Sequence, residues 1–430
     1  MMDLLPLPHD RFACPHDGVA LDIEGWLLPG MIPFARTHCG QCRRRYLAHL
    51  HVGFCGHSTL VVEESTGQIH DNGPHDWYRG NVVSCMATRQ QPSAPVTAVD
   101  AVDTTGKDVI LVNTLDPTYG HNLGRIYVIP GLRRQYPDAH IVAIVGRFFA
   151  WMTPDDVDES WIVETSLRHC ADWNDNIATL TAQLCGRAKR VRYSNLHAGP
   201  TIDISQFTRI KPFTTGGVEQ VGPARIGFHL REDRNWTYRG LPKPQSQAIA
   251  EQLQLVMAVF DTLHKEDPEI ECAVTGYGRS GAFPDWVKDL RIVEQDSAAE
   301  RRWMEFYARS HLAVGIHGSH MVLPCAHAMG AIQIPLTDYW STSLDLWEWV
   351  NRYSAQEALV RYLRVPVSTS LSETVSIIFT QLLKLQQMAG FDYLSRIADA
   401  ADRERFTLQH HRIFKGGYPL QYRDHLGRVL

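Results

Sequence analysis

A chain of 430 residues is long enough for two full domains and an appendage, and 44% apolar with 21% charged residues is the composition of an ordinary globular protein. The formal net charge of −5 offers no basic field to a nucleic-acid backbone and argues against a polynucleotide partner. No apolar run approaches the ~20 residues of a membrane helix, the opening Met1-Met2-Asp3-Leu4-Leu5-Pro6 does not read as a secretory signal, and the nine cysteines, most of them isolated in apolar runs, point to reduced thiols in a cytoplasmic protein.

Residues 1–58 hold Cys14, Cys39, Cys42 and Cys55. Cys14-Pro15-His16-Asp17-Gly18 and Cys39-Gly40-Gln41-Cys42 look like the two knuckles of a zinc ribbon, each a turn that aims side chains at one tetrahedral ion. Asp17 stands where the first knuckle would carry its second cysteine, with His16 beside it. The expected ligands of a structural Zn2+ are Cys14, Asp17, Cys39 and Cys42, with Cys55 or His57 as possible helpers. The competing reading is a packed β-knob without metal.

Residues 59–106 read as a connecting segment that ends in the turn-rich Gln91-Pro92-Ser93-Ala94-Pro95 and Asp103-Thr104-Thr105-Gly106. Residues 107–222 form the first large domain. Asp108–Asn113 is a strand, Asp116-Pro117-Thr118-Tyr119-Gly120 a loop, and His121 to Tyr136 carries helical apolar spacing with a kink expected at Pro130-Gly131. Strands follow at His140–Val145, Trp161–Val163 and Arg190–Tyr193, with helical material around Ile177–Leu184. Alternation of this kind builds a mostly parallel sheet.

Residues 223–344 repeat the pattern: a strand at Arg225–Leu230, an amphipathic helix at Gln245–Lys265, a strand at Ile270–Val274 and a helix at Glu300–Ser310. Residues 345–430 read as a helical segment through Leu371–Met388 with a polar tail. The richest stretch is His311 to Leu336. It gives an apolar strand, the turn His317-Gly318-Ser319-His320, a helix-length run to Gly330 and a second apolar strand, which is one βαβ unit. In open α/β sheets ligands bind at such turns, on loop amides and the positive end of the next helix. Gly318 lets backbone approach a ligand and Ser319 is suited to cap the helix, so an anionic group such as a diphosphate fits this place.

Two further loops follow strand ends. Tyr119-Gly120-His121-Asn122 opens the first helix, with His121 and Asn122 expected to face a cleft between the domains. Phe228-His229-Leu230-Arg231-Glu232-Asp233-Arg234-Asn235 puts charge at the end of a strand, where an arginine makes bidentate bonds to phosphate. The alternatives are a plain helix start and a solvated charge run.

The glycine–histidine–asparagine turn, the His-x-Arg-x-Asp strand end and the Gly-x-His-Gly-Ser turn together resemble inverting glycosyltransferases of the GT-B fold, namely the fucosyltransferase-like superfamily and the O-linked N-acetylglucosaminyl- and xylosyltransferases. His229-Leu230-Arg231 matches a fucosyltransferase strand end that reads His-x-Arg-Arg, with Glu232 in place of the second arginine. Gly315-Ile316-His317-Gly318-Ser319-His320-Met321 is similar to the Gly-x-His-Gly-x-Gly-Leu turn of the other family, with His320 in place of its last glycine. The resemblance covers about residues 108–340 and leaves out the cysteine-bearing front.

It implies an α/β protein of two Rossmann-like domains, GT-B type; the zinc-ribbon-like module in front of them is read from the cysteine turns alone. It also implies a metal-independent hexosyl or deoxyhexosyl transfer from a nucleotide-sugar donor to a glycan, lipid-linked or small-molecule acceptor, of the kind used in polysaccharide biosynthesis. The implied donor-binding residues are His229, Arg231, Asp233, Tyr277, Gly278, His317, Gly318, Ser319 and His320. Arg231 would neutralise the leaving diphosphate, Gly120 and Asn122 would lie on the acceptor side, and His121 or Asp116 would be the base. Rival readings are a polysaccharide pyruvyltransferase-like enzyme and a non-catalytic transferase-like scaffold.

Several lookalikes compete. Gly276-Tyr277-Gly278-Arg279-Ser280-Gly281 fits G-x-G-x-x-G, but Ala282-Phe283-Pro284 stands where a helix should open. Asp156-Val157-Asp158 mimics a metal-binding D-x-D without a strand before it and reads as a solvated acidic turn. Ser319 lacks the flanking glycines of a nucleophile elbow, and His317 with His320 lacks a third metal ligand nearby. Trp340, Trp347 and Trp349 read as an aromatic seam or a sugar platform.

Overall fold

The computed structural model describes residues 2–5, 12–50, 60–70, 76–196, 203–213, 223–233, 244–335 and 361–394; Cys55, His57, Arg234, Asn235, Trp340, Trp347 and Trp349 lie outside these. The chain divides into two units, Met1–Arg209 and Ile210–Leu430, each a mixed α/β body.

The strands of unit 1 are β1 (Met2–Leu5), β2 (Asp22–Leu27), β3 (Phe34–His38), β4 (Arg45–His49), β5 (Val61–Glu63), β6 (Ile69–His70), β7 (Val96–Val99), β8 (Asp108–Asn113), β9 (His140–Gly146), β10 (Glu159–Val163) and β11 (Arg190–Ser194). β2 to β6 form a five-stranded antiparallel meander. It runs past the expected boundary at residue 58, because Val61–Glu63 pairs with Tyr46–Ala48 and then with Ile69–His70. Strands this short carry too little alternation to be read from sequence.

The other sheet has the order β1-β11-β8-β9-β10-β7, parallel inside with antiparallel edges β1 and β7. β9 is buried along its whole length, which is why its sequence is a continuous apolar run rather than an alternating one. The helical stretch after β8 is two helices, Tyr119–Tyr127 and Ile129–Gln135. The break falls at Val128, earlier than expected, and Pro130 sits in the first turn of the second helix, where its missing N–H is harmless. Asn174 caps the helix Asp175–Arg187 by accepting from the Asn176 and Ile177 amides.

Unit 2 carries β12 (Arg225–Arg231), β13 (Glu271–Tyr277), β14 (Val287–Asp289), β15 (Leu312–Ile316), β16 (Gly330–Ile334) and β17 (Tyr362–Arg364). All pair in parallel in the order β14-β13-β12-β15-β16-β17. The chain therefore winds outward from β12 in one direction, returns to its other side at β15 and continues outward. This is the doubly wound Rossmann order, and its direction reverses between β12 and β15. Right-handed crossovers force the helices before and after that reversal onto opposite faces, so the loops there part and leave a crevice.

The helix Gln245–Glu266 buries Leu255, Val256, Val259 and Phe260 in the core of this unit. The core does not end at residue 344: β17 extends the sheet, and Ile378, Leu382 and Leu385 of the helix Leu371–Leu394 join the same cluster. That helix opens with a capping box, in which the Glu373 amide donates to Ser370 Oγ at 3.3 Å and the Ser370 amide donates to Glu373 Oε2 at 3.1 Å.

At the reversal β15 pairs with β12 so that Gly315 lies opposite His229. A Cβ on Gly315 would meet Met321 Sδ at 2.4 Å and the His229 carbonyl oxygen at 2.8 Å. Gly315→Ala is expected to lower the unfolding free energy by about 1–3 kcal/mol, as overpacking of a filled core does; chemical denaturation of the full chain measures it.

Candidate functional site

The carboxyl ends of β12, β13 and β15 bring His229, Arg231, Tyr277 and His320 together. The Arg231 guanidinium lies 5.8 Å from the centre of the Tyr277 ring, and that ring is 5.0 Å from His320. His320 stacks at 6.4 Å on His229, whose other side meets Trp303 edge-on at 5.5 Å. Arg231 at the strand end and His320 of the late turn thus lie against the same Tyr277 ring.

Arg231 is held from several sides. Its backbone N–H donates to Gln252 Oε1 at 3.2 Å while Gln252 Nε2 donates back to its carbonyl at 2.9 Å. Its Nε and Nη2 each donate to Asp233, both at 2.6 Å. Nη1 is buried with no hydrogen-bond partner among the described residues, and so is His229 Nε2. A buried polar group without a partner costs free energy, so these orphans make the crevice a candidate site for a ligand. His229 Nδ1 lies 3.0 Å from Thr275 Oγ1, which is 2.7 Å from the Tyr307 hydroxyl, and this buried chain fixes the ring. Burial, reinforced by the Arg231 charge, lowers the His229 pKa to about 3, so the imidazole is neutral near neutral pH.

Four expectations change at these loops. The helix after β15 is short, Val322–His327, and Ser319 belongs to a 3-10 turn, Ser319–Met321, without capping through its side chain. Anion binding by a long helix dipole is thereby lost, and the crevice depends on Arg231. His317 is a buried ring whose Nδ1 lies 2.9 Å from Gln333 Oε1. Tyr277 donates its hydroxyl to Glu300 Oε1 at 2.7 Å and meets His320 edge-on, so only part of its ring is open. The face of Gly278 is taken: a Cβ there would fall 2.0 Å from Glu232 Cδ.

Glu232 explains the G-x-G-x-x-G segment. Its carboxylate accepts from the Ser280 amide at 2.6 Å and the Ser280 hydroxyl at 2.9 Å, with Arg291 Nη1 3.8 Å away. Gly276, Gly278 and Gly281 all have positive φ. The first two give room to the Leu230 backbone and the Glu232 side chain. Asp158 is likewise structural: its Oδ2 accepts from the Ile141 amide at 2.7 Å and from Arg133 at 2.5 Å.

In unit 1 the direction of winding reverses between β8 and β11. Asp116, just past β8, is fully buried; its Oδ2 accepts from Arg125 Nη2 at 2.7 Å, and its Oδ1 lies 3.2 Å from His121 Nδ1. Burial alone would raise the Asp116 carboxyl, but the Arg125 guanidinium and the His121 ring overcome it and hold the group below the ordinary carboxylate range. An ionised carboxylate so enclosed orients a neighbour and is a poor proton acceptor, which leaves His121, 29% exposed at its side chain, as the candidate base. Gly120 lies in the first turn of the helix rather than in a free loop. Asn122 is buried, donating to the Asp116 and Thr118 carbonyls at 2.5 and 3.0 Å, and so braces the loop. Elsewhere in this unit a cavity of about 360 Å³ is lined by Leu115, Val163, Cys170, Trp173 and Gly30.

Arg125, Gln252, Thr275 and Glu300 escaped the sequence reading. Gln252 had one visible mark, a polar residue on the otherwise apolar face of its helix.

The two cysteine turns converge. One ligand atom each from Cys14, Asp17, Cys39 and Cys42 lies within 4.8 Å of every other. Cys14 and Cys42 sulfurs are 3.7 Å apart, close to the ~3.8 Å edge of a tetrahedron of Zn–S bonds near 2.3 Å. The buried Tyr46 hydroxyl, 3.5 Å from Cys14 Sγ and 3.8 Å from Cys42 Sγ, supports them from behind. Three thiols and a carboxylate suit Zn2+. A second group, His16, Glu63 and His70, has Arg44 Nη1 at 2.7 Å from His16 and 3.1 Å from Glu63, so a cation already fills it.

The chain matches no protein-family model and no curated protein. Among solved structures it is similar to a glycosyl transferase family 9 protein from Veillonella parvula DSM 2008, with 10% identity over 66% of this chain and 100% of that one and a TM-score of 0.38. The E. coli heptosyltransferase WaaC with ADP gives 11% identity over 65% of this chain and 99% of that one, with a TM-score of 0.34. The glycosyltransferase SnogD from Streptomyces nogalater gives 11% over 68% of this chain and 79% of that one, with a TM-score of 0.23. Identities and scores this low establish neither kinship nor activity. No described helix is long and apolar enough to cross a membrane.

Arg125→Leu leaves the buried Asp116 charge unpaired and is expected to cost about 3–5 kcal/mol of stability by denaturant titration. Because the folded-state pKa of Asp116 is lowered, its contribution is complete above the unfolded value of about 3.9 and is lost as pH falls through the lower folded value. His229 likewise binds its proton more readily unfolded, so it erodes stability as pH falls from 6.5 toward 3. His229→Gln is expected to flatten that acid limb of melting temperature against pH; an unchanged limb would contradict the buried neutral ring.

Proposed function

We propose that this chain is a glycosyltransferase of the GT-B type that moves a sugar from a nucleotide-sugar donor to a glycan, lipid-linked or small-molecule acceptor. The carrying observation is the pair of buried nitrogens without a partner among the described residues, Arg231 Nη1 and His229 Nε2, at the strand-order reversal of a Rossmann sheet. Such a crevice suits a nucleoside diphosphate. Unit 2 holds the donor in this reading, with Arg231 drawing charge from the diphosphate as its bond to the sugar breaks. The turn His317–His320 and the Tyr277 ring form the rest of the pocket.

His121 of unit 1 takes the proton of the acceptor hydroxyl as that oxygen bonds to the sugar carbon, and Asp116 holds the ring. No step in this scheme calls on a metal. A structural Zn2+ on Cys14, Asp17, Cys39 and Cys42 ties the two turns at one end of the antiparallel meander.

A thermal-shift screen of the full chain against UDP, GDP, CDP, ADP and phosphoenolpyruvate tests the donor class. One nucleoside diphosphate is expected to raise the melting temperature, about 2.7 kcal/mol of stabilisation at a hundredfold excess over Kd. A response to phosphoenolpyruvate alone favours pyruvyl transfer, and no response to any of them rejects the glycosyl reading. With the donor known, His121→Ala is expected to lower kcat about 100- to 10,000-fold with little change in donor affinity. Metal analysis of the purified chain should find one zinc, lost in Cys39→Ser.

A further inference from the structure

Asp233 and Arg231 form a lopsided pair. The arginine side chain is 4% exposed and the carboxylate 55%. The carboxylate takes Nε and Nη2, each at 2.6 Å, along the same two-pronged edge that a phosphate uses. It leaves Nη1 buried and unmet.

The other charges at these strand ends are matched too. Arg291 is paired with Asp289 at 2.7 Å and approaches Glu232 at 3.8 Å, and Glu300 accepts from Tyr277. Arg279, in the loop after β13, is exposed, whereas Arg231 is buried, so at the buried guanidinium an anionic ligand enters only by exchange with the Asp233 carboxylate.

Resting on the donor reading of this crevice, we propose that Asp233 is a built-in substitute anion on Arg231 that determines what the site accepts. A buried guanidinium without a counter-charge is costly, and Asp233 meets that need when no ligand is bound. A phosphate group keeps the two-pronged geometry and supplies a further oxygen for Nη1, a bond the carboxylate does not make. The displaced carboxylate already reaches solvent, so its return to water costs little. An uncharged ligand has nothing with which to replace it. The site therefore selects phosphate oxyanions and turns away the same nucleoside without phosphate.

The test is calorimetric titration of the full chain with inorganic pyrophosphate. Asp233→Asn removes the competing charge and is expected to tighten pyrophosphate by roughly tenfold, the value of one hydrogen bond to a charged group. The gain must vanish in the double variant R231Q/D233N, and adenosine or uridine should bind none of the proteins. Equal or weaker pyrophosphate binding by D233N overturns the proposal, as does a gain that survives without Arg231. Should D233N not fold, D233S decides by the same criteria. If D233N gains pyrophosphate while no nucleoside diphosphate binds either protein, the exchange stands and the glycosyl-transfer reading falls.

Discussion

The burial of a guanidinium at the one place where the strand order of unit 2 turns back on itself governs the rest of the site. A parallel sheet covered on both faces has few positions where a charge can survive, and the reversal between β12 and β15 is one, because the flanking loops diverge there. Arg231 ends β12 at that point with 3% of its surface exposed. Its neighbours follow from the need to satisfy it: Gln252 clamps its backbone, Asp233 takes one edge of its head group, and the Tyr277 ring lies beside it. Gly315 is small because β15 must pass close to His229 to complete the same crevice.

Unit 1 solves the same problem differently. Past its own first parallel strand, β8, Asp116 and Arg125 are both buried, at 0% and 2% side-chain exposure, and Asn122 seals the loop over them. Neither partner can be exchanged for a ligand without stranding the other in a dry interior, which is expensive. That pair is a fixed support, and its useful product is the orientation of His121. In unit 2 one partner, Asp233, reaches water, so the two pairs differ in the exposure of a single carboxylate.

Much of the frame was legible. Apolar runs such as His140–Gly146 and Leu312–Ile316 announce parallel strands, and the amphipathic spacing of Gln245–Glu266 announces its helix. The cysteine turns were legible because metal-ligand spacing is local, and Cys14, Asp17, Cys39 and Cys42 do converge. Strands of two to four residues, β1, β5, β6 and β7, were not, since pairing partners far along the chain decide them. The partners of the site were hidden for the same reason: Thr275 and Tyr307 mean something only once β13 and the helix Ser297–Tyr307 are folded beside His229. Ser319 misled because the pattern of small apolar residues after it does not tell a long helix from a 3-10 turn followed by a short one.

The position of Glu232 shows how a departure from a motif can be an addition rather than a loss. Next to Arg231 a second arginine would raise the positive charge of the strand end. Here the acid turns away from the crevice and knits the loop after β13, taking the Ser280 amide and hydroxyl, while Arg291 reaches the Ser280 and Gly281 carbonyls at 2.6 and 3.1 Å. That network requires Gly278, whose missing side chain leaves the space the acid fills. It also anchors Tyr277, whose carbonyl accepts from the Glu232 amide at 3.1 Å. Of the glycines that imitate a dinucleotide fingerprint, Gly278 thus accommodates a carboxylate of the chain itself and Gly276 the Leu230 backbone, which leaves Arg231 as the buried guanidinium at these strand ends with a nitrogen that has no partner among the described residues.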